Sequence, residues 1–284
     1  MATFFNQASL SYGGETVNSN ITEAELLSGL QLTKTGITPT YTAGGNAVYA
    51  ITLSNMGSVA YNALTVTDDL GAYNAGTGTV VPLTYVDGSM LYYLNGELQP
   101  APTVTAAGNL EISGINLPAG STATFIYEVR ANEFAPVAAG SVITNTASVN
   151  GGVGVGVITD TAQITVEEAP RLTIAKAVCP AVITDNSELT YTLIVQNLGN
   201  TAIVATDGVT VNDVFNPALS NITVTLDGVT LAEGVGYTYD EESGAFATTD
   251  GTLTVPAATY TRDPVTGAIS TTPGVAVITV TGTV

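Results

Sequence analysis

The chain has 284 residues, enough for two domains that each bury a core, and its 24 acidic against 5 basic residues give a net charge of −19. Such a balance repels nucleic acid and anionic lipid, which leaves neither as an expected partner. With no His and no Trp, the commonest general base and the commonest transition-metal ligand are missing, and most familiar catalytic constellations go with them.

Abundant Thr, Val and Tyr, with 30 Gly and 12 Pro to supply turns, predict an all-β protein. The first dozen residues, Met1-Ala-Thr-Phe-Phe-Asn-Gln-Ala-Ser-Leu-Ser-Tyr12, alternate as a half-buried strand, with Phe4, Asn6, Ala8 and Leu10 on one face. No charged segment followed by an apolar core opens the chain, so no Sec signal is visible, and no apolar run is long enough to span a membrane. Thr22-Glu-Ala-Glu-Leu-Leu-Ser28 is the one helix-like window, a turn or two in length.

From Leu30 the chain carries Lys34 in Leu-Thr-Lys-Thr, Tyr49 and Asn55 in Tyr-Ala-Ile-Thr-Leu-Ser-Asn-Met-Gly, and Asp68 in Leu-Thr-Val-Thr-Asp. After Glu167-Glu-Ala-Pro170, which reads as a linker, the same landmarks return as Lys176, Tyr191, Asn197 and Asp213. Lys34 to Asn55 and Lys176 to Asn197 both span 21 positions, and each Tyr stands 15 after its Lys, so the chain is internally duplicated. Tyr85-Val-Asp87-Gly88 is matched with Thr225-Leu-Asp227-Gly228, and Thr122-Ala-Thr-Phe-Ile-Tyr-Glu-Val with Val275-Ala-Val-Ile-Thr-Val-Thr-Gly. The first copy then adds a strand, Val142 to Val149, whose Ile143, Asn145, Ala147 and Val149 repeat the face of the N-terminal strand, whereas the second stops at Val284. A rival alignment sets Val277 to Val284 on Val142 to Val149 and would complete the second copy. The Pro-Gly turn before the penultimate strand favours the first.

The expected fold is therefore two tandem immunoglobulin-like β-sandwiches of about seven strands each, the second lacking its last strand. Residues 1–27 form an N-terminal donor strand and connector, 28–168 a complete domain, and 169–284 a domain completed by a donor strand. Asp240-Glu-Glu-Ser-Gly244 and Arg262-Asp-Pro-Val-Thr-Gly267 are expected as exposed hairpin tips. The one cysteine, Cys179, cannot form an internal disulfide and is expected as a buried, inert thiol, with an intermolecular disulfide as the other option.

The chain's two lysines fall at the same repeat position, in phase with Leu32 on one side and with Leu172 and Ile174 on the other, so both point inward. Asp68 and Asp213 are likewise in phase with apolar neighbours, and each domain is expected to bury one Lys and one Asp. Lys, Asp and Asn gathered in a dry core can form an isopeptide bond. Desolvation favours a neutral amine nucleophile and a neutral acid that polarises the Asn amide, and ammonia leaves. The plainer alternative is a Lys–Asp ion pair with Asn filling a hydrogen-bond gap, and Glu128 is a rival for the acid.

The quoted stretches around Lys34, Asn55 and Asp68, with Ile-Thr-Asn145-Thr-Ala-Ser-Val, resemble the surface-protein repeat called the domain of unknown function 11. The resemblance covers the whole first copy and the second up to its penultimate strand. Similar two-repeat chains without export signals occur among spore-appendage proteins of spore-forming anaerobes, which implies an extracellular or spore-surface fibre. The compartment rests on that likeness alone. The resemblance also implies a bond between Lys34 and Asn145 promoted by Asp68. Lys176 and Asp213 lack an Asn on a closing strand of their own, and Asn6 is the natural candidate.

Together these features predict a structural subunit that polymerises head-to-tail by donating its N-terminal strand, with only autocatalytic chemistry. Its partners are further copies of itself and a surface anchor protein, with no membrane insertion. Fold-back of the strand onto its own chain, an adhesin-type stalk recognising glycan or protein, and, more distantly, a hydrolase are the alternatives. No cofactor is expected. No Asp-x-Asp-x-Asp-Gly loop is present, so no metal site is expected either.

Overall fold

The computed structural model describes residues 2–26, 29–76, 78–150, 156–184 and 187–284. Among these the protein is almost wholly β, with one 3-10 turn at Ala205–Asp207. The chain divides into two compact units, the first Met1–Pro136, Ser141–Val166 and Pro264–Ala268, the second Val137–Gly140, Glu167–Asp263 and Ile269–Val284.

In the first unit, alternation makes strands with one buried face. Along Asn46–Asn55, Ala47, Tyr49, Ile51 and Leu53 turn inward, and along Thr122–Ala131 so do Ala123, Phe125, Tyr127 and Val129. These two strands pair at the centre of one sheet, with Leu30–Gly36 as its edge. The facing sheet runs Thr103–Ala106, Leu110–Leu117, Tyr61–Asp68, Val142–Asn150, Val157–Val166, ending on Thr40–Tyr41, which pairs in parallel. Extra hairpins take the sandwich beyond the seven strands expected. They lie at the sheet ends, where Leu91–Leu94 and Glu97–Gln99 close through the left-handed pair Asn95 and Gly96.

The second unit repeats half of this. Glu188–Asn197 lies between the edge strand Leu172–Cys179 and Gly274–Thr283, and the sheet continues to Ser220–Leu226 and Val229–Thr230. Lys176 pairs with Leu193 as Lys34 pairs with Ile51, and Val178 with Tyr191 as Gly36 with Tyr49, so the duplication is visible in register. Gly274–Thr283 pairs with Glu188–Asn197 just as Thr122–Ala131 pairs with Asn46–Asn55. It is thus the penultimate strand, and the rival alignment fails. The turn matching Asp227-Gly228 is Asn95-Gly96, not Asp87-Gly88, because each joins the strand on Thr122–Ala131 or its equivalent to the next one out. Against its core the ring of Phe215 stacks on Tyr191, with centroids 4.9 Å apart.

The repeated Asn is structural. Asn55 Nδ2 donates to the carbonyls of Val59 (2.8 Å) and Pro118 (2.9 Å), and its Oδ1 accepts from Gly57 N–H (3.0 Å). Asn197 does the same with Thr201 (2.7 Å), Pro256 (3.1 Å) and Gly199 (2.9 Å). Each buried amide ties a strand end to two loops. Asn197→Ala is expected to cost about 1–3 kcal/mol, because the loop carbonyls lose their donor, and thermal unfolding would record it.

Two further expectations are corrected. Thr22–Leu26 is a strand, since pairing with Ala2–Asn6 outweighs the weak helical propensity of so short a window; Leu27 and Ser28 lie outside the described residues. Cys179 is exposed, not buried, because it ends an edge strand all eight of whose residues are exposed.

Candidate functional site

In the first unit the lysine strand Leu30–Gly36 and the strand Tyr61–Asp68, from opposite sheets, bring Lys34 and Asp68 together with both side chains at 0% exposure. Lys34 Nζ donates to Asp68 Oδ2 and, at 3.0 Å, to Tyr127 Oη, while the Tyr127 hydroxyl donates to the same carboxylate oxygen. The second carboxylate oxygen accepts from Leu70 N–H at 2.8 Å. Lys34 Nζ also lies 4.9 Å from the Tyr49 ring centroid. Burial pulls the Lys34 ammonium below its ordinary range, with the Asp68 carboxylate opposing. Burial, and then the charge of Asp68, push the Tyr127 phenol well up.

Asn145 enters from the strand Val142–Asn150, which runs beside Asp68 through the pair Ala147 and Asp68. The Asn145 side chain is fully buried, and neither its Oδ1 nor its Nδ2 has a hydrogen-bond partner; the Tyr49 hydroxyl is also unpartnered. Asn145 is near enough to Tyr49 to oppose the burial that raises its phenol, without hydrogen-bonding geometry. An orphaned, dry primary amide on the strand that pairs with that of Asp68 is costly as packing alone. Glu128, the rival acid, is on the opposite face of Thr122–Ala131 and accepts from Asn46 Nδ2 at 3.4 Å.

The second unit has the same pair without the cover. Lys176 Nζ is 2.5 Å from Asp213 Oδ2, and 4.4 Å and 5.0 Å from the ring centroids of Tyr191 and Phe215, but the two side chains are 37% and 17% exposed. Full burial of this pair was expected and is not found. Asn212–Val214, which carries Asp213, pairs on one side with Ala245–Thr248, and among the described strands none pairs with its other edge. Beside it lies an apolar groove of about 330 Å³ lined by Leu172, Ile174, Val195, Val209, Val211 and Leu253 among others. Leu32 is 8% exposed, whereas Ile174 at the equivalent position is 57% exposed.

The N-terminal stretch forms two strands, Ala2–Asn6 and Ser9–Tyr12, paired with Thr22–Leu26 and Glu15–Asn18 as one long hairpin. At the break between them Ala8 N–H donates to Ser19 Oγ (2.9 Å) and Gln7 Nε2 to the Ser19 carbonyl (2.8 Å). Asn6, Ala8 and Leu10 are exposed, as is every residue from 5 to 23; the side chain of Phe4 lies outside the described part. Among the described residues no group of three His, Cys, Asp or Glu side chains is placed to hold a metal, and no helix is long and apolar enough to cross a membrane.

Sequence reasoning missed Tyr127. It alternates with Phe125 and Val129 and so could have been placed inward, but no repeat marks it, because the equivalent residue is Val280, facing Tyr191 as Tyr127 faces Tyr49. Tyr127→Phe removes one charge-assisted hydrogen bond from Asp68. If Lys34 and Asn145 join, the variant is expected to slow that step roughly tenfold while leaving any bond at Lys176 unchanged. A time course of intact mass distinguishes the two.

No protein-family model matches the chain, and no curated protein matches it in sequence. Solved structures similar to it include the major pilin subunit BcpA of Bacillus cereus, 13% identical with a TM-score of 0.35, over 95% of this chain and 73% of that one. A C-terminal fragment of the major pilin GBS80 of Streptococcus agalactiae is 11% identical, TM-score 0.36, over 86% and 91%. The collagen-binding subdomain of the Enterococcus faecalis surface protein ACE is 7% identical, TM-score 0.32, over 50% and 99%. These are likenesses of β-sandwich architecture only.

Proposed function

We propose that the chain is the structural subunit of an extracellular fibre, in which the N-terminal segment of one copy closes the open second sandwich of the next. One observation carries this reading. The same Lys–Asp pair is sealed in the first unit, where Val142–Asn150 runs beside Asp68, and partly open in the second, where among the described residues no strand takes that place. A segment with that strand's pattern, Asn6-Gln-Ala-Ser-Leu10 for Asn145-Thr-Ala-Ser-Val149, stands exposed at the N-terminus. Head-to-tail contacts of this kind do not close on themselves, so they build a filament. The resemblance of the repeat adds a spore appendage as the setting.

Two covalent locks follow from the chemistry. Within each pair, once it is covered, transfer of a proton from Lys to Asp leaves a neutral amine and a carboxylic acid. The amine of Lys34 attacks Cγ of Asn145, and Asp68 donates to the amide as it becomes tetrahedral. A C–N bond forms to Lys34, the C–N bond to Nδ2 breaks, and Nδ2 departs as ammonia with the protons supplied by the amine. Lys176, Asp213 and Asn6 of a neighbouring copy repeat the step across the interface. The orphaned amide of Asn145 supports the first lock, and the aromatic cradle of Lys176 the second.

Boiling purified fibres in SDS with reductant tests this. A ladder of multimers is expected, each subunit lighter than its sequence by one ammonia per bond. Monomers of full sequence mass would contradict both locks.

A further inference from the structure

We infer that the donor is a two-stranded hairpin, that its return arm docks along the second lysine strand, and that the pair Ala24 and Val178 decides which hairpin fits which groove. This rests on the fibre reading above. In the first unit, closure is by two strands. Val142–Asn150 pairs along its length with Val157–Val166, and the latter borders the lysine strand, where Lys34 backbone N–H donates to Asp160 Oδ2 at 2.7 Å. There Ile164 passes so near Gly36 that a Cβ on that glycine would stand 2.9 Å from Ile164 Cγ2.

Register transfers each position to the other site. Asn145 pairs with Ala162, and Ile143, two residues before it, with Ile164; Asn6 pairs with Thr22, and Phe4 with Ala24. Ala24 therefore holds the hairpin position of Ile164. On the acceptor side Gly36 stands two residues beyond Lys34 opposite Tyr49, and Val178 two beyond Lys176 opposite Tyr191. The contact made inside the first sandwich by glycine and isoleucine becomes valine and alanine, with the same total of side-chain carbons shared out differently.

Val178 is exposed, in phase along the strand with Leu172 and Ile174, which line the groove. An arm carrying isoleucine would collide with Val178, and one carrying alanine would leave a gap over Gly36. Volume-conserving exchanges are tolerated in packed contacts, and one-sided ones are not. The exchange thus reserves the second groove for the N-terminal hairpin and keeps the first sandwich's own hairpin out of it. A donor of one strand would leave Val178 and the rest of the lysine strand's inward face uncovered.

The test is polymerisation of the full-length protein, followed by the SDS ladder and by fibre length in electron micrographs. Ala24→Ile is expected to reduce multimers by about tenfold or more, Val178→Gly to reduce them less, and the double variant to return to within about twofold of the parent. Loss of ammonia at Lys34 in each variant confirms that the first sandwich is folded. Ala24→Ile polymerising like the parent would overturn the docking of the return arm, and so would a folded double variant no better than Ala24→Ile. Failure of the parent itself to polymerise is a separate result, which would remove the fibre reading underneath.

Discussion

Deleting residues 2–26 is expected to leave the protein as monomers, with neither fibres nor SDS-resistant multimers. Each strand of the two sandwiches remains in the truncated chain, so both units keep their cores, and the first should still lose its ammonia. What goes is the cover for Leu172, Ile174 and Val178. Burying each such side chain on assembly is worth about 1.5–3 kcal/mol, so losing three of them lowers affinity by several orders of magnitude. Light scattering after size-exclusion chromatography reads the outcome directly. Fibres from the truncated chain would mean that the groove is not the joint.

Asn145→Ala separates a covalent core from an ion-paired one by the size and even the sign of its effect. If Lys34 is joined to Asn145, the link closes a loop of roughly 110 residues. By analogy with disulfides, opening it costs about 4–5 kcal/mol, a fall in melting temperature of about 10 °C or more. If the two are not joined, the substitution removes an unpartnered amide from a dry site and is expected to be close to neutral or stabilising. Lys34→Ala is a harsher change. It abandons Asp68 at 0% exposure without its cation, at about 3–5 kcal/mol, on top of the lost bond. Scanning calorimetry of the parent and both variants, each with its intact mass, orders the three.

Much of this arrangement was legible before any coordinates. Two lysines in a whole chain, at one repeat position and each in phase with apolar residues, told of a buried cation, and the Asp equally in phase named its partner. That Gly274–Thr283 answers Thr122–Ala131 was read from where Pro273-Gly274 falls, and its register on Glu188–Asn197 agrees. What stayed hidden depends on pairing between segments. The alternation of Thr22–Leu26 is too short to tell strand from helix, and only its partner Ala2–Asn6 decides it. The return arm Glu15–Leu26 bears little resemblance to Val157–Val166, so its equivalence shows in register alone. No sequence signal marks Gly36 as the place where Ile164 passes, and the depth of burial of Lys176 could not be told from a pattern it shares with Lys34. Tyr127, present in one copy only, left no repeat to notice.

The most direct measurement is peptide mapping of fibres grown from an equal mixture of unlabelled protein and protein labelled with heavy nitrogen. A branched peptide joining Asn6 to Lys176, short of one ammonia and found in mixed-label as well as matched-label forms, is the predicted result. It would place the bond between copies. The same peptide in matched-label forms only would mean that each chain closes on itself, and its absence from fibres that survive boiling would mean that the subunits are joined elsewhere; either contradicts closure of one copy's groove by its neighbour.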